Sequence, residues 1–583
     1  MENIETTPLP ENPCDLPVDL HDVGKCQLTG LISQTLVSNG REHRIFTYIA
    51  EGMHYNRPCI IIVPPSGTTV PAFLAQFEWT RFAQKNQVFL CLLSPPADGW
   101  GANGQDADLM NAAYKKVLAR DYYVAMQDNI YAFGFGDGAT VAQQAVMRMA
   151  SEWSGLATFG CFLPDIMQGS CTAADQDAGT QSGETQIVAK RCQVPVWMYL
   201  EDASGAAEQV IQFWKGENHS LEDPLYDRYG TEIYLPDPVQ STSKTNDDHI
   251  AQVRISHQNW STCLCCEELD RVWRYIGSAR RHRGYGGKIL RYYRDPLKNG
   301  AQRRTMPVGG ILREWYEYVP ARLRKSREKV PLVVALHGRG GDAESFFDIT
   351  DMSVVAEERG FIALFPTADL YQARENGLRS VRVWDGEFEG EKIDSCVFLR
   401  EMINDVKKRF PVDSSRIYAC GQSSGGMMTS CCAMNMSDMF AAVAPWSGVS
   451  CPGVDHNLFR YPYETAFAAG NVPVFLMVGE NDRFFDAASF DPACCKDELL
   501  QNYLRFLRDT FHLEDRSLRY QCPPVTYWVW RNRKGTPMLK LGIVHDMAHA
   551  NYAEQSRIVY DEFFAHFSKT STGSLLYMGQ DAE

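Results

Sequence analysis

The chain has 583 residues, with 57 Lys or Arg against 72 Asp or Glu, a formal net charge of −15. That acidic balance argues against a protein that binds nucleic acid by neutralising phosphates, and 45% hydrophobic with 22% charged residues excludes wholesale disorder. No apolar run approaches the roughly 18 residues of a membrane-spanning helix, so neither nucleic acid nor membrane is an expected partner.

Residues 1–34 are acidic and proline-rich, without the basic start and apolar run of a secretory signal, so a cytoplasmic location is expected. The 18 cysteines are then read mostly as reduced packing residues, adjacent pairs such as Cys265-Cys266, Cys431-Cys432 and Cys494-Cys495 included. The cluster Cys263, Cys265, Cys266 has no second C-x-x-C or His pair at zinc spacing, so no metal is expected.

Residues 40–49 form a glycine turn followed by an alternating aromatic strand. Residues 58–67 are a continuous apolar run ending in Pro-Pro-Ser-Gly, residues 131–138 a strand entering a glycine turn, and residues 194–197 another strand. A basic stretch follows, with Arg271, Arg280, Arg281, His282, Arg283, Lys288, Arg291, Arg294, Lys298, Arg303 and Arg304. It lacks the aromatic pattern of a nucleic-acid module, and is read as a solvated connection or a surface paired with acidic residues.

The same signals then recur in the same order, at residues 310–319, 331–340, 418–425 and 472–475. Short β-branched runs ending in Gly or Pro indicate strands buried on both faces of a parallel sheet. The expected organisation is two α/β domains of one plan, each a mostly parallel sheet flanked by helices. They occupy residues 35–280 and 305–568, with a basic linker at 281–304 and a tail at 569–583.

In the second domain a strand runs into Gly421-Gln422-Ser423-Ser424-Gly425-Gly426 and then a helix. This G-x-S-x-G turn puts a serine on a sharp bend between small neighbours, at a helix amino end that favours negative charge. Leu336-His337-Gly338-Arg339-Gly340-Gly341 follows a buried strand, and such a loop can aim backbone N–H groups at an oxyanion. The expected donors are the N–H of Arg339, or of a neighbour within one residue, and that of Ser424. Downstream, the strand at 472–478 ends in Gly479-Glu480-Asn481-Asp482, where Asp482 is the expected acid and Glu480 and Asp486 are lesser candidates. His549 is the expected base, with His545 as its rival. The order Ser423, Asp482, His549 is that of an α/β-hydrolase triad. His337, Trp384, Trp446 and Phe484 stand near predicted loop ends and are candidate substrate contacts, the aromatic ones for an aromatic acyl group.

Together these segments, with residues 309–320, Asp394 and Phe398, 413–428 and the run F-A-A-V-A-P-W-S-G at 440–448, resemble the polyhydroxybutyrate depolymerase-like esterases, which include feruloyl and acetylxylan esterases. The resemblance covers roughly residues 305–568 and implies the α/β-hydrolase fold, Ser423 as nucleophile, Asp482 as acid and His549 as base. It implies an oxyanion loop beginning at His337-Gly338, with no cofactor. Without the export signal and binding appendage of secreted members, the expected substrate is a small soluble ester, of an aromatic or short hydroxy acid. A serine peptidase is the rival enzyme, although the propeller repeats that often accompany one are missing.

The first domain follows the plan without the chemistry. Gly136 stands where Ser423 does, Asp137 one position on, and Pro64-Pro65 replaces His-Gly. Residues 35–280 are read as a catalytically silent copy, a non-catalytic binding unit that covers the active site, adds to the pocket or makes a homo-oligomer interface. The alternative is Asp137 as a carboxylate nucleophile.

Overall fold

The computed structural model describes the chain apart from residues 1–3, 10–15, 17–18, 20, 23, 120–122, 124, 169–191, 202–203, 240–248, 283–288, 372–380, 385–386, 389–390, 393, 453–464, 489, 493–494 and 553. Arg283, Lys288 and Cys494 therefore lie outside the described residues.

Each half contains one large sheet. The first is built from β1 (Thr6–Thr7), β2 (Gly30–Ser38), β3 (Arg41–Ile49), β4 (Arg57–Val63), β5 (Phe89–Leu93), β6 (Ala125–Phe135), β7 (Gly155–Phe159), β8 (Val196–Tyr199), β9 (Leu225–Tyr226), β10 (Glu232–Tyr234) and β11 (Val253–Ser256). Its order is β1-β2-β3-β5-β4-β6-β7-β8-β11-β10-β9. A hairpin of β12 (Ala279–His282) and β13 (Ile289–Tyr292) leads to the second half.

The second half begins with β14 (Gln302–Val308), β15 (Ile311–Tyr318), β16 (Val330–Leu336) and β17 (Ile362–Pro366). Two small hairpins follow, β18 (Asp369–Tyr371) with β19 (Val381–Val383) and β20 (Glu387–Phe388) with β21 (Glu391–Lys392). The large sheet continues with β22 (Val412–Gln422), β23 (Ala442–Trp446), β24 (Val474–Gly479), β25 (Leu518–Cys522), β26 (Val525–Arg531) and β27 (Pro537–Val544). Its order is β14-β15-β17-β16-β22-β23-β24-β27-β26-β25.

With β1 set aside, the two orders correspond strand for strand. Both sheets are parallel in the middle and antiparallel at both edges. Even the register shift on the central strand recurs, between Arg57 and Cys59 and between Val330 and Leu332. Several inner strands are buried along their whole length, Gly155–Phe159, Val330–Leu336, Ala442–Trp446 and Val474–Gly479 for example, because helices cover both faces. Each half has its own apolar core, and complete burial of one such side chain stabilises by about 1.5–3 kcal/mol. The fold is thus α/β, with two mostly parallel sheets flanked by helices.

The edges of the halves differ from the boundaries read along the chain. Thr6 and Thr7 pair with Leu31 and Ile32, and Cys26 and Leu28 are buried, so part of the acidic leading segment joins the first sheet. Of the two readings of the basic stretch, a solvated connection or a surface paired with acidic residues, the pairs of Arg291 and Arg294 with Asp351 and of Arg303 with Glu314 favour the second, and its start is buried. Arg281 is fully buried and donates to the carbonyls of Ala150, Trp153 and Gln193. The tail forms a small sheet of β28 (Phe567–Lys569), β29 (Leu575–Tyr577) and β30 (Gln580–Asp581). It is tied to the second half where Asn532 and Thr536 donate to the Ala582 carbonyl at 2.7 and 2.9 Å. Among the described residues no helix is long and apolar enough to cross a membrane.

Candidate active site

Register brings distant segments of the second sheet to one edge. Leu336 pairs with Gly421, so the loop after β16 and the turn after β22 leave side by side. Gly479 pairs with Val544, so the loops after β24 and β27 also leave together. These are carboxyl ends of parallel strands, where open α/β sheets place their sites.

Ser423 sits on the turn between β22 and the helix Ser424–Asn435 with φ +56 and ψ −120. A non-glycine residue held there stores about 1–3 kcal/mol of strain, which only close packing around it maintains. That packing depends on glycine. A Cβ on Gly425 would lie 2.1 Å from the Leu336 carbonyl oxygen, and one on Gly448 2.0 Å from that of Ser423. The Ser423 N–H donates to the Trp446 carbonyl at 2.8 Å, fixing the turn against β23.

Three sequence candidates meet here. The Ser423 hydroxyl donates to His549 Nε2 at 2.9 Å, and His549 Nδ1–H donates to Asp482 Oδ1 and Oδ2 at 3.0 and 2.9 Å. The side chains of His549 and Asp482 are 8% and 0% exposed, so the pair works in a medium where electrostatic interactions are strong. The Phe484 N–H donates to Asp482 Oδ1 at 3.0 Å, which orients the carboxylate. The rivals are engaged elsewhere. His545 lies 2.8 Å from Thr526 Oγ1 and 3.2 Å from Glu480 Oε1, and Asp486 is exposed.

The loop after β16 reaches under the serine. A Cβ on Gly338 would come within 3.3 Å of Ser423 Cβ. Arg339, next along, is exposed. Ser424 opens its helix, so its N–H has no acceptor within the helix.

Of the four candidate substrate contacts only Phe484 lies at the mouth. It is 47% exposed, with its ring 4.7 Å from that of His549 and the Arg483 guanidinium 4.6 Å over it. The other three are corrected to supports beneath the site. His337 is 1% exposed; its Nε2 accepts from the Ala368 N–H at 2.9 Å, leaving Nδ1–H to donate to the Gly338 carbonyl at 2.7 Å. Burial lowers the His337 pKa to about 4 and keeps the ring neutral. Trp384 is completely buried, and its indole N–H donates to the His337 carbonyl at 2.8 Å. Trp446 is 1% exposed, beneath the serine turn. Large aromatic residues near loop ends served as scaffold because the loops fold back over them.

Sequence reading missed Arg382. Its carbonyl accepts from the Gly340 N–H at 2.7 Å, and its guanidinium lies 3.2 Å from Asp342 Oδ2. Asp342 in turn caps the helix Ala343–Ile349 in a capping box with Ser345. The spacing of Asp342 and Ser345 was a legible signal for the cap, but nothing local to Arg382 announced its partner.

The first half keeps the turn and loses the groups. Gly136 has φ +56, its N–H donates to the Phe159 carbonyl at 2.8 Å, and a Cβ there would lie 2.8 Å from Pro65 Cβ. Asp137 is held by Ser66, which donates to it through its N–H at 2.8 Å and through its hydroxyl.

Comparison with known proteins agrees with the motif reading of the second half. Residues 316–459 match the family "Esterase PHB depolymerase". Feruloyl esterase B of Thermothelomyces thermophilus is 34% identical over 137 residues, 24% of this chain and 44% of its own length. A bifunctional acetylxylan esterase/xylanase of Neocallimastix patriciarum is 26% identical over 227 residues, 38% of this chain and 28% of its own. The chain thus spans less than half the length of these curated relatives. A solved acetyl xylan esterase from Aspergillus awamori matches over 45% of this chain and 99% of its own at 17% identity and a TM-score of 0.32.

Proposed function

We propose that the second half, whose motifs and family match are those of polyhydroxybutyrate depolymerase-type esterases, hydrolyses carboxylic esters through an acyl-enzyme on Ser423. The carrying observation is the unbroken relay from Ser423 Oγ through His549 to Asp482, with contacts of 2.9 to 3.0 Å. His549 takes the Ser423 proton as Oγ attacks the ester carbonyl, then delivers it to the departing alkoxide. Asp482 keeps the Nδ1–H tautomer and steadies the imidazolium. The Ser424 N–H, at a helix amino end, and the Arg339 N–H are the oxyanion donors. Water, deprotonated by His549, attacks the acyl group and frees Ser423, so the cycle closes without a cofactor.

Phe484, exposed beside His549, provides an aromatic wall for the acyl group, which favours a soluble aromatic or short hydroxy-acid ester. The first half contains an α/β sheet rather than a propeller, which weighs against the peptidase alternative.

The test is a panel of short acyl, aromatic acyl and hydroxyacyl esters, with matched amides, given to the full chain and to Ser423→Ala. The expected loss of kcat/KM is at least ~10⁴-fold on the preferred ester with the fold intact. An alanine variant that keeps its rate, or a wild type that prefers amides, overturns the reading.

A further inference from the structure

The basic stretch joins the two halves, and most of its charge is accounted for by partners. Arg271 pairs with Asp227 and Glu268, Arg291 and Arg294 with Asp351, and Arg303 with Glu314. Arg280 is accounted for differently. It is 6% exposed, and its guanidinium donates only to neutral oxygens, the Tyr131 hydroxyl and the carbonyls of Gly277 and Ala279. Its Nε has no partner among the described residues, and none of the described ion pairs includes it. Asp348 attracts this charge from a distance, but no carboxylate oxygen among the described residues is hydrogen-bonded to it, and an arginine cannot escape burial by losing its proton.

Arg280 lines a cleft of about 440 Å³ between the halves, a volume in the range of small-molecule sites. Three more cations border it, Arg57, Arg274 and Lys298, against two acids, Asp295 and Glu344. Glu344 is already taken by Arg57 at 2.9 and 3.0 Å and by the Tyr293 hydroxyl at 2.5 Å. Asp295 lies 3.8 Å from Lys298. Arg274 has no described ion pair. Asp348 shares with Arg280 an adjoining chamber of about 20 Å³ and attracts its guanidinium, but its Oδ1 is occupied by the Arg294 N–H at 2.7 Å. Flat surfaces flank these charges, Trp273 on the cleft wall and the Tyr293 ring 4.3 Å from the Arg280 guanidinium.

We propose that this cleft binds a small organic anion carrying a phosphate or paired carboxylates, held by Arg280, Arg274 and Lys298, and that binding clamps the two halves together. The site is separate from the Ser423 centre and does not depend on the esterase reading. A phosphate or carboxylate fits the fork of Arg280 and would give it an anionic hydrogen-bond acceptor, where its described acceptors are a hydroxyl and two carbonyls.

The experiment titrates the full chain with inorganic phosphate, pyrophosphate and citrate by calorimetry and thermal unfolding, against sodium chloride at matched ionic strength. At least one anion is expected to bind saturably at submillimolar to low millimolar concentration and to raise Tm. A response to phosphate or pyrophosphate alone assigns the phosphate class, and one to citrate alone the carboxylate class. The double variant Arg274→Ser with Lys298→Ser removes only exposed side chains, so its unliganded Tm and ester rate should match wild type. Its anion Kd should weaken by about tenfold or more. Arg280→Gln should abolish the response, but it removes a buried group, so the surface pair is the deciding variant. No saturable binding of any of the three anions, or unchanged binding by the double variant, overturns the proposal.

Discussion

At residues 136 and 423 the chain turns the same way, with φ +56 in both halves and the turn N–H donating to the neighbouring strand at 2.8 Å. Around the second turn stand a serine, a histidine and a buried carboxylate. Around the first, the nucleophile is glycine, the loop that should offer N–H donors is Pro64-Pro65, and Pro65 fills the space a side chain would need. Proline cannot donate a backbone hydrogen bond, so three requirements are lost together. The turn persists because the sheet needs it. A Cβ on Gly138 would lie 2.7 Å from the Val63 carbonyl oxygen, just as one on Gly425 would strike that of Leu336. Packing therefore keeps the bend in both halves, and a left-handed turn by itself is evidence of fold rather than of function.

The sharpest challenge to this contrast is Asp482→Asn. It should lower kcat by about 10⁴-fold without unfolding the chain, because the amide orients His549 in the wrong tautomer. A variant near wild-type rate would leave the two halves no different in chemistry.

Acid separates the halves next. His337 is neutral when folded, with a pKa of about 4, whereas its counterpart Pro64 cannot titrate. An unfolded histidine titrates near 6.5, so between about pH 6.5 and 4 the unfolded form holds a proton the folded form refuses. Its contribution is therefore complete above about pH 6.5 and declines as pH falls toward 4, by up to roughly 3 kcal/mol. Urea midpoints at pH 7 and 4.5 should fall more steeply for wild type than for His337→Asn; equal slopes would count against it.

Placing Gly136→Ser in a Ser423→Ala chain asks whether the nucleophile alone was missing. We expect no recovered ester hydrolysis and a loss of about 1–3 kcal/mol, since the new side chain meets Pro65 at a positive φ. Restored burst kinetics would show that the first half is less degraded than its geometry indicates.

The smallest effect is expected from Asp137→Asn, which loosens the Ser66 contact by about 1 kcal/mol and leaves kcat within about twofold. A large fall in kcat would instead make Asp137 a reacting group.

Much of this was readable along the chain because the relevant constraints are local. A turn that carries Ser423 at positive φ needs Gly421 and Gly425 at fixed offsets, and a strand covered on both faces needs an unbroken apolar run such as 330–336. Those demands recur in both halves, so the shared plan, the elbow and the order Ser423, Asp482, His549 were visible without coordinates. Other outcomes depend on the path of loops through space. His545 and His549 are four residues apart behind the same strand. The choice between them is made where the loop crosses Gly479, whose missing Cβ would lie 2.3 and 2.4 Å from the carbonyl oxygens of Met547 and Ala548. That crossing sends His549 to Ser423 and leaves His545 with Glu480. Trp384 and Trp446 became scaffold and Arg280 a buried charge for the same reason: burial and pairing are set by which segments the fold stacks together, and composition records the residues without their neighbours.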